Sequence, residues 1–281
     1  MKALVELARV LEAIEASAWR DVWAAAPESV RASLGLRTVE REGALVIAAD
    51  HIESLLMNRV LGGGLQGSLD TRTLDAIEKF FAGRQPYAIN LSPLARPDGV
   101  TGALMDRGLA TYFHHVKWAR DSSPYTPARA TDLRIAPVDA ALAPAWAELS
   151  ADAFVHGAEG GAAWLASLHG RRGWRMFVAL DGAQVVAGGA LFTHGSCGWL
   201  GMGITRDSHR ARGAQSALLA ARIAAAHAAK ARWLTTETAP NWEDLNPVSW
   251  RNVERAGFGV IYDRPSWIRP PGLPPAAKPA G

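Results

Sequence analysis

The chain has 281 residues, of which 49% are hydrophobic and 20% charged, with a formal net charge of +3. That is apolar matter for two modest domains and too little charge for general disorder, and with no long Lys/Arg stripe the small positive excess excludes nucleic acid as a partner. Cys197 is the only cysteine, so no intramolecular disulfide forms; Glu6, Glu12 and Glu15 interrupt any signal-like apolar stretch, and no run is long enough for a membrane span, which together predict a cytoplasmic monomer or homodimer.

Leu4, Leu7, Leu11 and Ile14 recur at helical spacing and predict an N-terminal helix with all four on one buried face. Residues 44–49 read as a strand and 55–61 as a second. A glycine cluster, Gly62-Gly63-Gly64 and Gly67, leads into a helix over 73–81. A short strand follows at 87–91, then a helix at 100–106 and a strand pair ending at Trp118. The proline-containing stretch 121–131 is the linker. Beyond it, 133–138 is a strand and 141–154 and 162–168 are helices. Runs at 176–180 and 184–192 flank Asp181-Gly182-Ala183, a strong hairpin signal because glycine accepts positive φ. Gly195-Ser196 makes the next turn, and 197–204 is a third strand. A helix over 214–231, a strand at 233–238, a helix at 247–255 and a strand at 259–263 complete the half. The proline-rich tail, 271–281, predicts disorder.

The fold class is therefore α/β with a mixed sheet, an antiparallel meander feeding one βαβ crossover. The two halves, 1–128 and 131–270, overlay. Gly108 and Gly257 stand at the same separation as Trp118 and Trp267, and Pro93 and Pro240 match with a two-residue gap. Two copies of one fold, the first diverged, account for these landmarks.

The chemistry concentrates after the strand at 197–204. A glycine at a helix start lets the backbone approach a ligand, and the first helical N–H groups have no intrahelical partner. With the positive end of the helix dipole and Arg210 and Arg212 beside it, the segment Arg210-Ala211-Arg212-Gly213-Ala214-Gln215-Ser216 makes a pyrophosphate site. It resembles the Arg/Gln-x-x-Gly-x-Gly/Ala turn of the GNAT N-acetyltransferases, which holds acetyl-CoA. Gln215 departs from that pattern; with backbone amides making the contacts, a side chain pointing outward is tolerated there. Asn246-Pro247-x-Ser249 through Ala256-Gly257-Phe258 is similar to the family's following helix, with an Asn beside the cofactor.

The resemblance implies acetyl transfer from acetyl-CoA to an amine of a small molecule or peptide, with pantetheine along Met202, Gly203 and Ile204 and a backbone N–H there polarising the thioester. A free alkylamine has a pKa of about 10, so a base is expected. Glu237 is the acidic candidate. The family's proton-donating Tyr is replaced by Val253, leaving Tyr262 or water as the substitute acid. Because Val253 breaks the pattern, a catalytically impaired acyl-CoA-binding module is the alternative. A dinucleotide-dependent oxidoreductase is a weaker one: Gly62 to Gly67 fits G-x-G-x-x-G, but the next strand ends in Asn90-Leu91-Ser92-Pro93 without the acid that reading needs. No metal site is expected, since His194 and Cys197 form one short ligand pair without a second, and His114-His115 reads as an edge or pocket feature.

Overall fold

Three hairpin loops of two residues organise the antiparallel strands: Glu42-Gly43, Gly182-Ala183 and Gly195-Ser196. In the first, both residues have positive φ (46° and 76°), the geometry whose twist matches the flanking strands. The computed structural model describes residues 2–82, 86–127, 130–241 and 248–270. The first half comprises α1 (Lys2–Ala24), α2 (Glu28–Leu34), β1 (Leu36–Arg41), β2 (Ala44–Ala49), β3 (Arg59–Leu61), α3 (Thr71–Phe81), β4 (Ala88–Asn90), α4 (Val100–Asp106) and β5 (Ala110–Asp121). The second comprises β6 (Arg134–Pro137), α5 (Ala143–Phe154), α6 (Gly161–Ala166), β7 (Trp174–Asp181), β8 (Gln184–His194), β9 (Cys197–Thr205), α7 (Ala214–Ala228), β10 (Trp233–Thr238), α8 (Val248–Arg255) and β11 (Gly259–Ile268).

From β1 and from β7 the two halves run in the same order: three strands, helix, strand, helix, strand. Each contains one parallel crossover, β3 to β4 and β9 to β10. The helix ends match too. Gly108 N–H donates to Met105 O and Leu109 N–H to Leu104 O; Gly257 N–H donates to Glu254 O and Phe258 N–H to Val253 O. Both glycines have positive φ, which the turn after each helix requires.

All strands join one sheet in the order β1-β2-β3-β4-β11-β5-β10-β9-β8-β7-β6. The last strands have changed places. β11 pairs with β4 of the first half, β5 pairs with β10 of the second, and the two pair with each other, Arg264 opposite His115. This exchange corrects the expected strand pair ending at Trp118. The segment is one long strand, because it needs no hairpin partner of its own when β11 and β10 flank it.

Both faces of the sheet are covered, so β2 is buried throughout rather than alternating. On one face α1, α2, α5 and α6 share a single core with residues from both ends of the sheet, rich in tryptophan: Trp19, Trp23, Trp146, Trp164, Trp174 and Trp199. The other face carries α3 and α4 over the first half and α7 and α8 over the second. The N-terminal helix is longer than its apolar stripe implies. Only Leu11 and Ile14 of that stripe are buried, while Leu4 is 40% exposed. The run at 55–61 is a turn followed by the short β3, and α2 and β1 lie in a stretch without a clear periodic signal. The tail at 271–281 lies outside the described residues. Among the described residues no helix is long and apolar enough to cross a membrane, and no cluster of metal-binding side chains occurs.

Candidate functional site

β9 and β10 run side by side and then part. Trp233, Leu234 and Thr235 pair with Cys197, Gly198 and Trp199. Thr236 Oγ1 still donates to Leu200 O at 2.8 Å. Beyond that β10 follows β5 as far as Thr238 opposite Val116 and no longer pairs with β9. The result is a wedge with Gly201 to Thr205 along one side. The chain leaves the end of β9 through Arg206 and enters α7 at Gly213.

The entry to α7 is open. Gly213 is its N-cap, with φ of 80° and no side-chain cap. Ala211 also has positive φ, 62°. A Cβ on Gly213 would lie 3.4 Å from Ala130 O, an ordinary contact, so glycine is favoured here by conformation rather than by space. Among the described residues no side chain caps the first amides, those of Ala214, Gln215 and Ser216, at the positive end of a helix of 15 residues.

The two arginines of the turn divide the work. Arg210 is exposed and, among the described residues, makes only a surface pair with Asp207, 2.7 Å. Arg212 turns back: Nη1 reaches Asp181 at 2.6 Å and Nε reaches Asp132 at 3.2 Å. Hydrogen bonds from Arg212 hold both carboxyls below their ordinary range. Arg212 therefore ties the turn to the β7–β8 hairpin and to the start of the second half.

Gln215 departs from the motif by turning in rather than out. Its side chain points inward, and Nε2 donates to Ile204 O at 2.7 Å, Thr205 Oγ1 at 3.1 Å and Gly188 O at 3.2 Å. The reason is local: the β8–β9 register breaks there, leaving carbonyl oxygens for a donor to take. Met202, in that break, is buried and has φ of 52°, a conformation rare for a side-chain-bearing residue. Gly203 and Ile204 follow it along the wedge. Asn246 lies outside the described residues. Val253 is packed in the core between α7, α8 and the sheet.

Glu237 and Tyr262 fall in a buried ionic cluster beneath α1. Glu12 and Glu15 come from α1, Arg59 from β3, Lys117 from β5, Glu237 from β10 and Arg264 from β11. Arg264 binds Glu12 at 2.7 Å, Glu15 at 2.9 Å and also Glu237, whose other oxygen is 3.4 Å from Arg59. Burial alone would raise Glu15, but Arg264, Lys117 and Arg59 outweigh it and hold this carboxyl well below its ordinary value. Tyr262 donates to Glu12 at 2.8 Å; burial and that carboxylate push the phenol far up, so its proton is held tightly.

The sequence offers His115 only as part of an edge or pocket pair, and gives Arg222 no role. His115 lies one position beyond the last β5–β10 pair, on the face of β5 that Lys117 also uses. Its Nδ1 is buried without a partner, its ring meets Phe113 edge-on at 4.8 Å, and burial lowers its pKa. Arg222, on α7, is fully buried among carbonyl oxygens. Neither has a sequence signal beyond residue type: the strand exchange places the first, and helix-to-sheet packing places the second.

The first half has no such wedge. Arg96 N–H donates to Gly64 O at 2.7 Å and Leu69 N–H to Arg96 O at 3.0 Å, which seals the loop after β3 against the loop after β4. A Cβ on Gly64 would meet Arg96 N at 2.8 Å, so these glycines serve close packing. The N-terminus of α3 is closed by its own Asp70, whose carboxylate accepts from Thr73 N–H at 2.9 Å.

The parting parallel strands, the bulge and the glycine entry to α7 come together beyond the paired part of β9, in a mixed α/β sheet. No protein-family model and no curated protein matches the chain. Solved structures do. A GCN5-related N-acetyltransferase from Kribbella flavida is 16% identical, with 93% of this chain and 96% of that one covered at a TM-score of 0.63. Another from Sphaerobacter thermophilus is 16% identical, with 89% and 88% covered at 0.59. A tandem GNAT protein from the clavulanic acid biosynthesis pathway is 17% identical, with 80% and 77% covered at 0.52. The chain thus has the fold of the GNAT N-acetyltransferases, in two tandem GNAT-like halves.

Proposed function

We propose that this protein is an N-acetyltransferase that moves an acetyl group from acetyl-CoA to an amine of a small molecule or peptide. The observation that carries the reading is the open wedge between β9 and β10, ending on the uncapped N-terminus of α7. The amides of Ala214, Gln215 and Ser216 suit a pyrophosphate, with Arg210 free to swing from its surface pair and add charge. Ala211 and Gly213 shape the turn, and Arg212 braces it. Met202, Gly203 and Ile204 line the side suited to pantetheine, and Asn246 is assigned beside it from the sequence pattern.

Acetyl-CoA supplies an activated acyl thioester. The backbone N–H of Met202 stabilises the charge that develops on the thioester oxygen. The amine must attack in its neutral form. Both oxygens of Glu237 are already engaged by arginines, so proton acceptance there requires one to let go. His115, kept neutral by burial at the end of β10, is the better-placed acceptor. Tyr262 is bound to Glu12, and we assign thiolate protonation to water.

A second reading, binding of acyl-CoA without transfer, is favoured by Val253 standing where the family's acid is expected. Calorimetry with acetyl-CoA, followed by thiol release across a panel of amines, separates the two. Binding with release supports the enzyme; binding with no release for any amine supports the module; no binding sinks both. Within an active enzyme, Glu237→Gln is expected to leave the pH profile of transfer in place, and loss of its acid limb would return the base to Glu237.

A further inference from the structure

The register of β8 and β9 breaks between Gly188↔Ile204 and Ala190↔Gly201. Such a bulge frees carbonyl oxygens from the ladder, and they need other donors. Two side chains of α7 supply them. Gln215 Nε2 takes Gly188 O and Ile204 O on one side of the bulge, at 3.2 and 2.7 Å. Arg222 Nη1 takes Gly201 O on the other side at 3.2 Å and reaches toward Ala190 O at 3.5 Å. Residues seven apart on a helix share a face, so one face of α7 spans the whole bulge.

The glycines opposite are explained by this pair. A Cβ on Gly189 would lie 2.7 Å from Arg222 Cζ, and one on Gly203 would lie 3.1 Å from Gln215 Oε1. Arg222 also donates from Nε to Leu218 O at 3.1 Å, and no carboxylate pairs with it among the described residues. Burial brings its pKa down to about 10, so it remains a cation at neutral pH. A buried cation held only by carbonyl dipoles is expensive, and its bonds to the bulge carbonyls offset that cost.

The first half is an internal control. There β2 and β3 keep one unbroken register, Leu45↔Leu61 through Ile47↔Arg59. Among the described residues no side chain of α3 donates to those strands. Bulge and paired donors occur together, in the half with the open wedge.

We propose that Gln215 and Arg222 are positioning residues for acyl transfer, which hold the β8–β9 bulge in the shape that aims the Met202 N–H at the thioester oxygen. The inference rests on the acetyltransferase reading. The physical link is the planar trans peptide between Gly201 and Met202: its oxygen and its N–H point in opposite directions. With the oxygen drawn to Arg222 on the α7 side, the N–H is turned away from α7. The positive φ of Met202 is the strain that the two donors sustain.

The test is the infrared carbonyl stretch of acetyl-CoA carrying a 13C-labelled thioester carbonyl, bound to the full chain. Wild type is expected to lower the frequency relative to free acetyl-CoA. Arg222→Met should return it most of the way, Arg222→Lys part of the way, with Kd changed less than about threefold because binding and polarisation are separate contributions. With an accepted amine, Arg222→Met should lower kcat about 10- to 100-fold at nearly constant KM, approaching the loss of a donor to the developing charge. A folded Arg222→Met protein that binds acetyl-CoA with the wild-type frequency overturns the proposal alone. Should Arg222→Met not fold, Arg222→Lys and Gln215→Leu are read by the same frequency, and wild-type values in both overturn it. A wild-type chain that takes no acetyl-CoA removes the acetyltransferase reading, and the positioning role with it.

Discussion

Two halves with one element order end their third strand and enter the next helix in opposite ways. In the second half β9 bulges, leaves β10 and reaches a helix capped by Gly213, whose amides carry no side-chain partner. In the first, β3 stays flush with β2, the loops after β3 and β4 bond to each other, and Asp70 caps α3. A helix N-terminus wants an anion. The first half provides one from its own chain, and the second, where the proposed ligand would sit, provides none among the described residues. The strands nearby diverge in step: Asn90 lies opposite Ser266 at one end of the exchange, and Glu237 lies opposite Lys117 at the other. Both halves feed charge into the shared core beneath α1: Glu12, Glu15, Arg59 and Lys117 come from the closed half, Glu237 and Arg264 from the open one.

The largest expected effect breaks that shared core. Glu15→Leu strips Lys117 and Arg264 of a buried carboxylate and should cost about 3–5 kcal/mol in urea unfolding, because a charge is left buried without its partner. Acid should mimic it. The folded pKa of Glu15 is depressed, so its stabilisation is present above the ordinary value of 4.5 and is lost as pH falls below it. A wild-type acid limb identical to that of Glu15→Leu would sink this account.

Gly213→Asp copies Asp70 into the open half. It should weaken acetyl-CoA binding about 100-fold, roughly 2.7 kcal/mol, by placing a carboxylate where phosphate is expected. An unchanged Kd by calorimetry would mean that phosphate does not sit there.

A smaller effect sharpens the role of the exchanged strand. His115 is buried with a lowered pKa, so the unfolded chain binds a proton before the folded one does as pH falls through 6.5. Wild type should therefore lose stability below that pH, and His115→Asn should flatten the slope. One proton bound only by the unfolded chain gives a slope of at most about 1.4 kcal/mol per pH unit. Parallel slopes in thermal melts from pH 7 to 5 would show that His115 does not titrate this way. The smallest effect is an expected absence. Asp70→Gly uncaps α3 but leaves the Gly64–Arg96 seal, so calorimetry should still find one acetyl-CoA per chain; a second site would refute the seal.

Much of the scaffold is written locally. Asp181-Gly182 turns a hairpin because glycine tolerates positive φ, Gly213 opens a helix for the same reason, and the strand–helix–strand order over 197–238 dictates a parallel crossover. These depend on near neighbours, which sequence shows. The repeat was legible for a related cause: Gly108 and Gly257 end equivalent helices and must keep equivalent φ.

Tertiary structure alone decided the rest. Nothing in residues 110–121 or 259–268 says that the two strands trade places, since pairing partners far apart in sequence are chosen by the whole sheet. That exchange brings Arg264 to Glu237 and Glu12 to Tyr262, and so changes what two apparent catalytic residues can do. Gln215 reads as a departure from a motif until the bulge is seen. Its amide turns inward because Gly188 and Ile204 leave carbonyl oxygens facing α7, a demand that exists only once helix and sheet have packed.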